Sequence, residues 1–277
     1  MLKNIKQAIH PYRQSSLFRA LNPRSFVCYG VGLEKSGTHS LAAMLEDHYR
    51  STHEENVNLL NNTFIDVAEG KKPTADLKEE IDRRDLYGWL EMDASHPHVH
   101  YLDLLLEKNP DAKVILTIRD CYSWLNSVIN QHIYAPKRQY FERLHAFRYR
   151  ENRELYQDFD QFLKSEYELP SATAYLAFWT HHINRVRSLA SASQLLIVRT
   201  PDLRKSAAEI AAFLEISERS ISTEKSHAYR AQNKDPVLSR MGAEGIQKLA
   251  DEHCGDLMAE FFSDKDYLVA AMASEQK

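Results

Sequence analysis

Cysteine is scarce in this chain: Cys28, Cys121 and Cys254 are the only three in 277 residues. Widely spaced and odd in number, they make neither a disulfide framework nor a CxxC metal pair, and they point to a reducing, cytoplasmic compartment. No run of about 18 apolar residues is present, and the amino terminus lacks an apolar segment followed by a small-residue cleavage site, so neither a membrane span nor secretion is expected. An excess of positive charge is also missing, since 35 Lys and Arg stand against 39 Asp and Glu for a net charge of -4. A bulk nucleic-acid binder needs a phosphate-neutralising face that shifts this balance to basic, so any anion site must be local. Internal repeats, low-complexity tracts and Pro/Gly/Ser linkers are absent as well. The expected organisation is an amino-terminal basic arm over 1–24 and a single domain over 25–277.

The arm carries Lys3, Lys6, Arg13, Arg19 and Arg24 and is broken at Pro11 and Pro23. It reads as a solvated terminal helix packed by Leu17 and Leu21, one turn apart, with peripheral membrane contact as the lesser alternative. Three short apolar runs read as buried strands: SFVCYGVGL (25–33), AKVILTIRD (112–120) and QLLIVRT (194–200). Each feeds a stretch with helical spacing, such as Leu41, Met44, Leu45 and His48 after the first. Apolar strands alternating with amphipathic helices imply an α/β fold with a parallel sheet covered on both faces. Residues 130–193, rich in Tyr, Phe, Arg and His, show no strand pattern beyond their opening and read as a helical insertion beside the sheet. The final AAMASEQK is expected to fray.

Glycine is concentrated where it is useful: Gly30, Gly32 and Gly37 are three of only eight and surround Lys35, Ser36, Thr38 and Ser40 in YGVGLEKSGTHSL. A glycine turn between strand and helix lets backbone N–H groups converge on an anion, and Lys35 adds a full positive charge. The order departs from the Walker A pattern, because Lys35 precedes the last glycine. A second anion contact is readable at KVILTIRDCYSWLNSVI (113–129), where Arg119 ends a strand and Ser127 follows on the next helix. An Arg fork at the carboxyl end of a parallel strand points into the crevice where such sheets bind ligands.

Taken together, GLEKSGTHSL and the Arg119 to Ser127 spacing resemble the PAPS-dependent sulfotransferases, in which a KxGTxxL loop holds the 5′-phosphosulfate of 3′-phosphoadenosine 5′-phosphosulfate (PAPS) and an R[DN]PxxxxxS motif holds its 3′-phosphate. His39 and Cys121 depart from the residues usual in those motifs. The resemblance implies a three-layer P-loop-like fold and donor contacts from Lys35, Ser36, Gly37, Thr38, His39, Ser40, Arg119 and Ser127. It also implies direct in-line transfer to a hydroxyl with release of PAP, with Lys35 acting on the leaving phosphate and no metal required. A base is expected in RSTHEENVNLL (50–60): an HPEx-like alignment selects Glu55, a shift of one selects Glu54, and His53 or His39 are further candidates. Asp93, Ser95 and His96 are candidates for the acceptor side, and Arg230 and Lys234 for closure over the nucleotide.

His96, His98 and His100 would share one face if their segment were extended, which leaves a zinc site as a lesser reading. His181 and His182, near Trp179, read as packing and surface residues. For the acceptor, a glycan or small hydroxylated metabolite is favoured, with Tyr134, Tyr140, Phe141, Arg148 and Tyr149 as pocket candidates. Two other readings stay open at this point: a small-molecule or nucleoside kinase with a variant P-loop, and a non-catalytic nucleotide-binding protein.

Overall fold

The computed structural model describes residues 13–55, 57–134, 139–227 and 235–275, apart from the side chains of 139–141. Five parallel strands form its centre: β1 (Cys28–Gly30), β2 (Ser51–His53), β3 (Met92–Ala94), β4 (Lys113–Ile118) and β5 (Leu195–Arg199), in the order β2-β3-β1-β4-β5. The three expected strands are β1, β4 and β5. The other two are three residues long, as β1 is, but unlike β1 they lie outside any longer apolar run.

Strand alternation sends side chains to two cores, one on each face of the sheet. Tyr29, Val31 and Leu33 join Val114, Leu116 and Ile118 in the larger core. Cys28 and Ile115 point the other way, toward Leu41, Met44 and Leu45 of α2 (Thr38–Leu45). That helix stops at Leu45, so His48 is exposed rather than part of its apolar face. Helices α3 (Val57–Ala68) and α4 (Thr74–Gly88) connect β2 to β3, and α5 (Leu102–Lys108) leads into β4.

In its described residues the insertion is built of helices, as expected. After α6 (Cys121–Tyr134) come α7 (Gln139–Arg148), α8 (Gln161–Tyr167) and α9 (Ala172–Leu189). Helix α9 begins where the Ser171 hydroxyl accepts the Ala174 N–H, and it buries Tyr175, Leu176, Trp179, Ile183 and Val186 at helical spacing. Beyond β5 lie α10 (Ala207–Leu214), α11 (Val237–Met241), α12 (Ala243–Phe261) and α13 (Tyr267–Ser274).

Residues 1–12 of the arm and 276–277 of the expected fraying end lie outside the described residues, and both described ends depart from expectation. In the arm, α1 (Ser16–Leu21) leaves Leu17 and Leu21 exposed at 68% and 72%. Its attachment is instead through cations: Arg24 lies 4.0 Å from the centre of the Trp89 ring, and the Trp89 indole donates to the Asn22 carbonyl at 2.9 Å. At the other end α13 is docked rather than frayed, because the Glu275 carboxylate accepts the N–H groups of Leu238 at 2.8 Å and Ser239 at 2.9 Å. Among the described residues no helix is long and apolar enough to cross a membrane.

Candidate functional site

After β1 the chain crosses toward β2 on one side of the sheet and after β4 toward β5 on the other, so a crevice opens at the carboxyl ends of these neighbouring strands. A cleft of about 1000 Å³ occupies it, lined by Lys35, Gly37, Thr38, His39, Ser40, Arg119 and Ser127 among others. Close packing shapes the first loop. A Cβ on Gly32 would stand 1.9 Å from the Thr117 hydroxyl oxygen, and Gly37 takes φ +100° at the start of α2. Lys35 adopts φ +63°, a left-handed conformation that costs a residue with a Cβ and tends to persist where function requires it.

Ser36 differs from its expected role. Its buried hydroxyl donates to the Leu33 carbonyl at 2.6 Å and lies 3.1 Å from the Thr117 hydroxyl, so the side chain braces the loop from beneath and does not line the cleft. Thr200, at the end of β5, adds a second brace, its hydroxyl sitting between the carbonyls of Ser36 and Ile118, 2.9 Å from the latter. The Lys35 ammonium is 3.4 Å from the Gln131 amide oxygen, and burial lowers its pKa, partly offset by the Glu34 charge.

Arg119 projects from the end of β4 toward that loop. Its Nε donates to the Ser123 hydroxyl at 2.8 Å and its Nη1 reaches the Lys35 carbonyl at 3.5 Å. Ser123 is in turn bonded to Asp120, whose carboxylate accepts the Ser123 N–H at 2.8 Å and the Ser123 hydroxyl. Ser127 lines the cleft one turn further along α6. Two buried indoles clamp the backbone behind these groups: Trp124 donates to the Glu34 carbonyl at 2.9 Å and Trp179 to the Arg119 carbonyl at 3.0 Å.

On the opposite wall, the end of β2 brings in His53 and Glu54 but not Glu55. The Glu55 carboxylate accepts the Thr52 hydroxyl at 3.1 Å and its carbonyl is held by Arg84, so it faces a neighbouring cavity between α3 and α4. The cause is local backbone geometry. Glu54 takes φ +53° with its N–H on the Ala94 carbonyl at 3.0 Å, and this turn directs successive side chains to different cavities. Glu54 Oε1 lies 3.1 Å from His96 Nε2 and 3.6 Å from His53 Nε2. Burial pushes the Glu54 carboxyl up to about 7, with the Glu34 charge adding to the effect and Arg148 opposing it. Burial lowers His53 to about 4, with His39 next to it contributing, and the His53 ring stands 3.1 Å from the Thr38 hydroxyl. His96 is held neutral by burial and by the nearby Arg148 charge.

The other candidates separate. His96–His100 is a 3-10 turn rather than an extended stretch, so its three histidines diverge. His96 enters the cleft, His98 is buried between the Tyr29 and Tyr101 rings, and His100 stacks on Phe64. Among the described residues no group of ligating side chains has the arrangement of a metal site. Asp93 is paired with Arg84 and Ser95 is fully buried, and neither lines the cleft. His182 holds the Val31 carbonyl at 2.6 Å, while His181 is exposed.

Arg148 and Tyr149 are core residues, and Tyr134 is a surface residue bonded to Asp235 at 3.0 Å. Arg230 and Lys234, and the side chains of Tyr140 and Phe141, lie outside the described residues. Sequence reasoning missed Glu34, Ser123, Gln131 and Thr200 in the cleft, together with Ala271 and Ser274 of α13. Only Ser123 carried a local signal, one helical turn after Arg119.

Residues 28–218 match the family model described as "Sulfotransferase domain". No curated protein matches the chain. Among solved structures, the chain is similar to a sulfotransferase from Alicyclobacillus acidocaldarius at 16% identity, over 91% of this chain and 99% of that one, with a TM-score of 0.45. It is similar to sulfotransferase STF9 from Mycobacterium avium at 11% identity, over 92% and 81%, with a TM-score of 0.49. Mouse sulfotransferase SULT7A1 complexed with PAP is 17% identical over 91% and 90%, with a TM-score of 0.40.

Proposed function

The chain belongs to the sulfotransferase domain family, and from that premise we propose that it moves a sulfuryl group from PAPS to a hydroxyl of a glycan or small hydroxylated metabolite. The observation that carries this reading is the two-sided cleft. Lys35 and Arg119 stand on one wall, and Glu54, a half-buried carboxylate poised near neutrality, stands on the other. Phosphosulfate suits the first loop, where Gly32 leaves room for no side chain and α2 presents its amino-terminal amides beyond Gly37. Arg119 and Ser127 take the 3′-phosphate.

In the reaction the acceptor oxygen attacks sulfur as its proton passes to Glu54. The bond from sulfur to the 5′-phosphate oxygen breaks, and the electron pair leaves on PAP, where Lys35 stabilises the added charge. Glu54 replaces Glu55 as the base because only Glu54 faces the cleft. Asp120, the acidic group a magnesium-dependent kinase would use at this strand end, is committed to Ser123, so no metal enters the proposal. The polar groups beside Glu54, namely His39, His53 and His96, support an acceptor rich in hydroxyls over an aromatic one. The proposal covers 25–277 as one catalytic unit and, given three unpaired buried cysteines, a reducing cytoplasmic setting.

Calorimetric titration with PAP, with ATP and magnesium as the paired control, tests the donor site. Wild-type protein should bind PAP without metal, and Lys35→Ala and Arg119→Ala should each weaken binding by about tenfold or more. Binding of ATP with silence toward PAP would overturn the reading. Transfer from radiolabelled PAPS to a panel of neutral sugars and polyols should fall about 10²- to 10⁴-fold in Glu54→Gln with PAP affinity kept. Because Glu54 must be ionised to accept the proton, the wild-type rate should drop as the pH falls through about 7.

A further inference from the structure

Glu34 immediately precedes Lys35 on the loop, yet its carboxylate points back into the helical insertion and is only 11% exposed. Its Oε1 lies 2.7 Å from His132 Nε2 on α6, and its Oε2 lies 3.3 Å from Arg148 Nη1 on α7. His132 is itself fixed, with Nδ1 2.7 Å from the Tyr175 hydroxyl of α9 and 2.9 Å from His145 Nε2 of α7. Arg148 is oriented by His100, to which its Nε donates at 3.2 Å. Three helices of the insertion therefore converge on the side chain next to the loop lysine. Toward the cleft, Glu34 Oε2 is 4.0 Å from His96 Nδ1, and the other nitrogen of the same ring is 3.1 Å from Glu54. One imidazole separates the two carboxylates.

We infer that Glu34 is a positioning residue that ties the Lys35 loop to the helical insertion and acts by its charge on Glu54 across His96. The donor and acceptor ends of the cleft are thereby set by one group. The inference rests on the reading of Glu54 as the base. The groups facing Glu34 are Lys35 on its own loop, His132, His145, Arg148, Tyr149 and Tyr175 from the insertion, and His96 and Glu54 across the cleft. Those facing Glu54 are His53, His96, Tyr101, Arg148 and Glu34. Burial alone would raise the Glu34 carboxyl, but His132, Arg148 and His145 together outweigh it and hold Glu34 ionised down to about 2. The Glu34 charge then persists across the range in which Glu54 takes up or releases its proton. Removing that charge should make Glu54 easier to ionise.

Carboxyl NMR of protein labelled with ¹³C-glutamate reads this directly, with the Glu54 signal assigned by its loss in Glu54→Gln. In wild type that signal should titrate near neutral pH, and in Glu34→Gln lower by about one unit. Glu34→Gln should also weaken PAP about fivefold, because the loop bearing Lys35 loses its clamp. Glu34→Asp keeps the charge but shortens the reach. It should leave the Glu54 titration close to wild type while weakening PAP by a similar factor. A Glu54 signal that titrates alike in wild type and Glu34→Gln overturns the charge coupling, and unchanged PAP affinity in both variants overturns the clamp. Should Glu34→Gln not fold, a wild-type Glu54 signal in the ordinary carboxylate range, or a Glu34→Asp protein that binds PAP as wild type does, overturns the inference. The base assignment is judged separately by transfer in Glu54→Gln, so the two failures are distinguishable.

Discussion

Burial raises the pKa of both of two carboxylates one ring apart, yet their net shifts are opposite, and their neighbours decide the sign. Glu34 is ringed by His132, His145 and Arg148, whose attraction exceeds the desolvation cost, whereas Glu54 meets another carboxylate and pays that cost. The sign for stability follows. The folded pKa of Glu34 is depressed, so its stabilising contribution is present above the ordinary carboxylate range and is lost as the pH falls toward about 2. Denaturant midpoints measured from pH 5 to pH 2 should decline less steeply in Glu34→Gln than in wild type, and parallel slopes would contradict the assignment. Glu54 works in reverse, since its raised pKa makes its contribution less favourable as the pH rises toward about 7. Neither environment is visible in the sequence, where Glu54 and Glu55 are adjacent and chemically alike. The φ of Glu54 and the side chains around it separate them.

The strand, turn and helix over 28–45 form the best-specified element, because local rules and tertiary packing agree there. The glycines that marked the turn in sequence are needed for two different reasons. Gly37 supplies a left-handed backbone, and Gly32 supplies empty volume against Thr117 on the neighbouring strand. Gly32→Ala should therefore destabilise the fold by about 3 kcal/mol, read as a shift of the urea midpoint. A wild-type midpoint would mean that β1 and β4 can move apart at this level. Ser36 shows the limit of motif reading, since a hydroxyl within an anion-binding pattern turned out to brace the loop.

Over the whole molecule, the insertion backs the glycine loop and the end of β4. Trp124 and Trp179 hold the Glu34 and Arg119 carbonyls from α6 and α9, and Arg148 reaches the loop from α7. Trp179→Phe keeps most of the apolar volume but leaves the Arg119 carbonyl without its indole donor. It should cost about 1–3 kcal/mol in stability and several-fold in PAP affinity. Loss of stability with PAP affinity retained would show that Arg119 holds its place without the insertion. The docking of α13 follows the same logic: read locally its short alanine-rich end looks free, but Glu275 is bonded to the start of α11 and Ser274 borders the cleft.

By itself the sequence determined the parallel α/β arrangement, strands β1, β4 and β5, the helices among the described residues of 130–193 and the residues of the glycine loop and of Arg119 with Ser127. Each of these is written in local periodicity, in backbone requirements such as those met by glycine, or in spacing along one strand and helix. The tertiary structure alone decided that β2 and β3 complete the sheet, that Glu54 rather than Glu55 lines the cleft with Lys35, that Ser36 points inward, and that Glu34 is gripped by the insertion. Those outcomes depend on groups far apart in the chain meeting in a low-dielectric interior, where distance and burial set both orientation and charge.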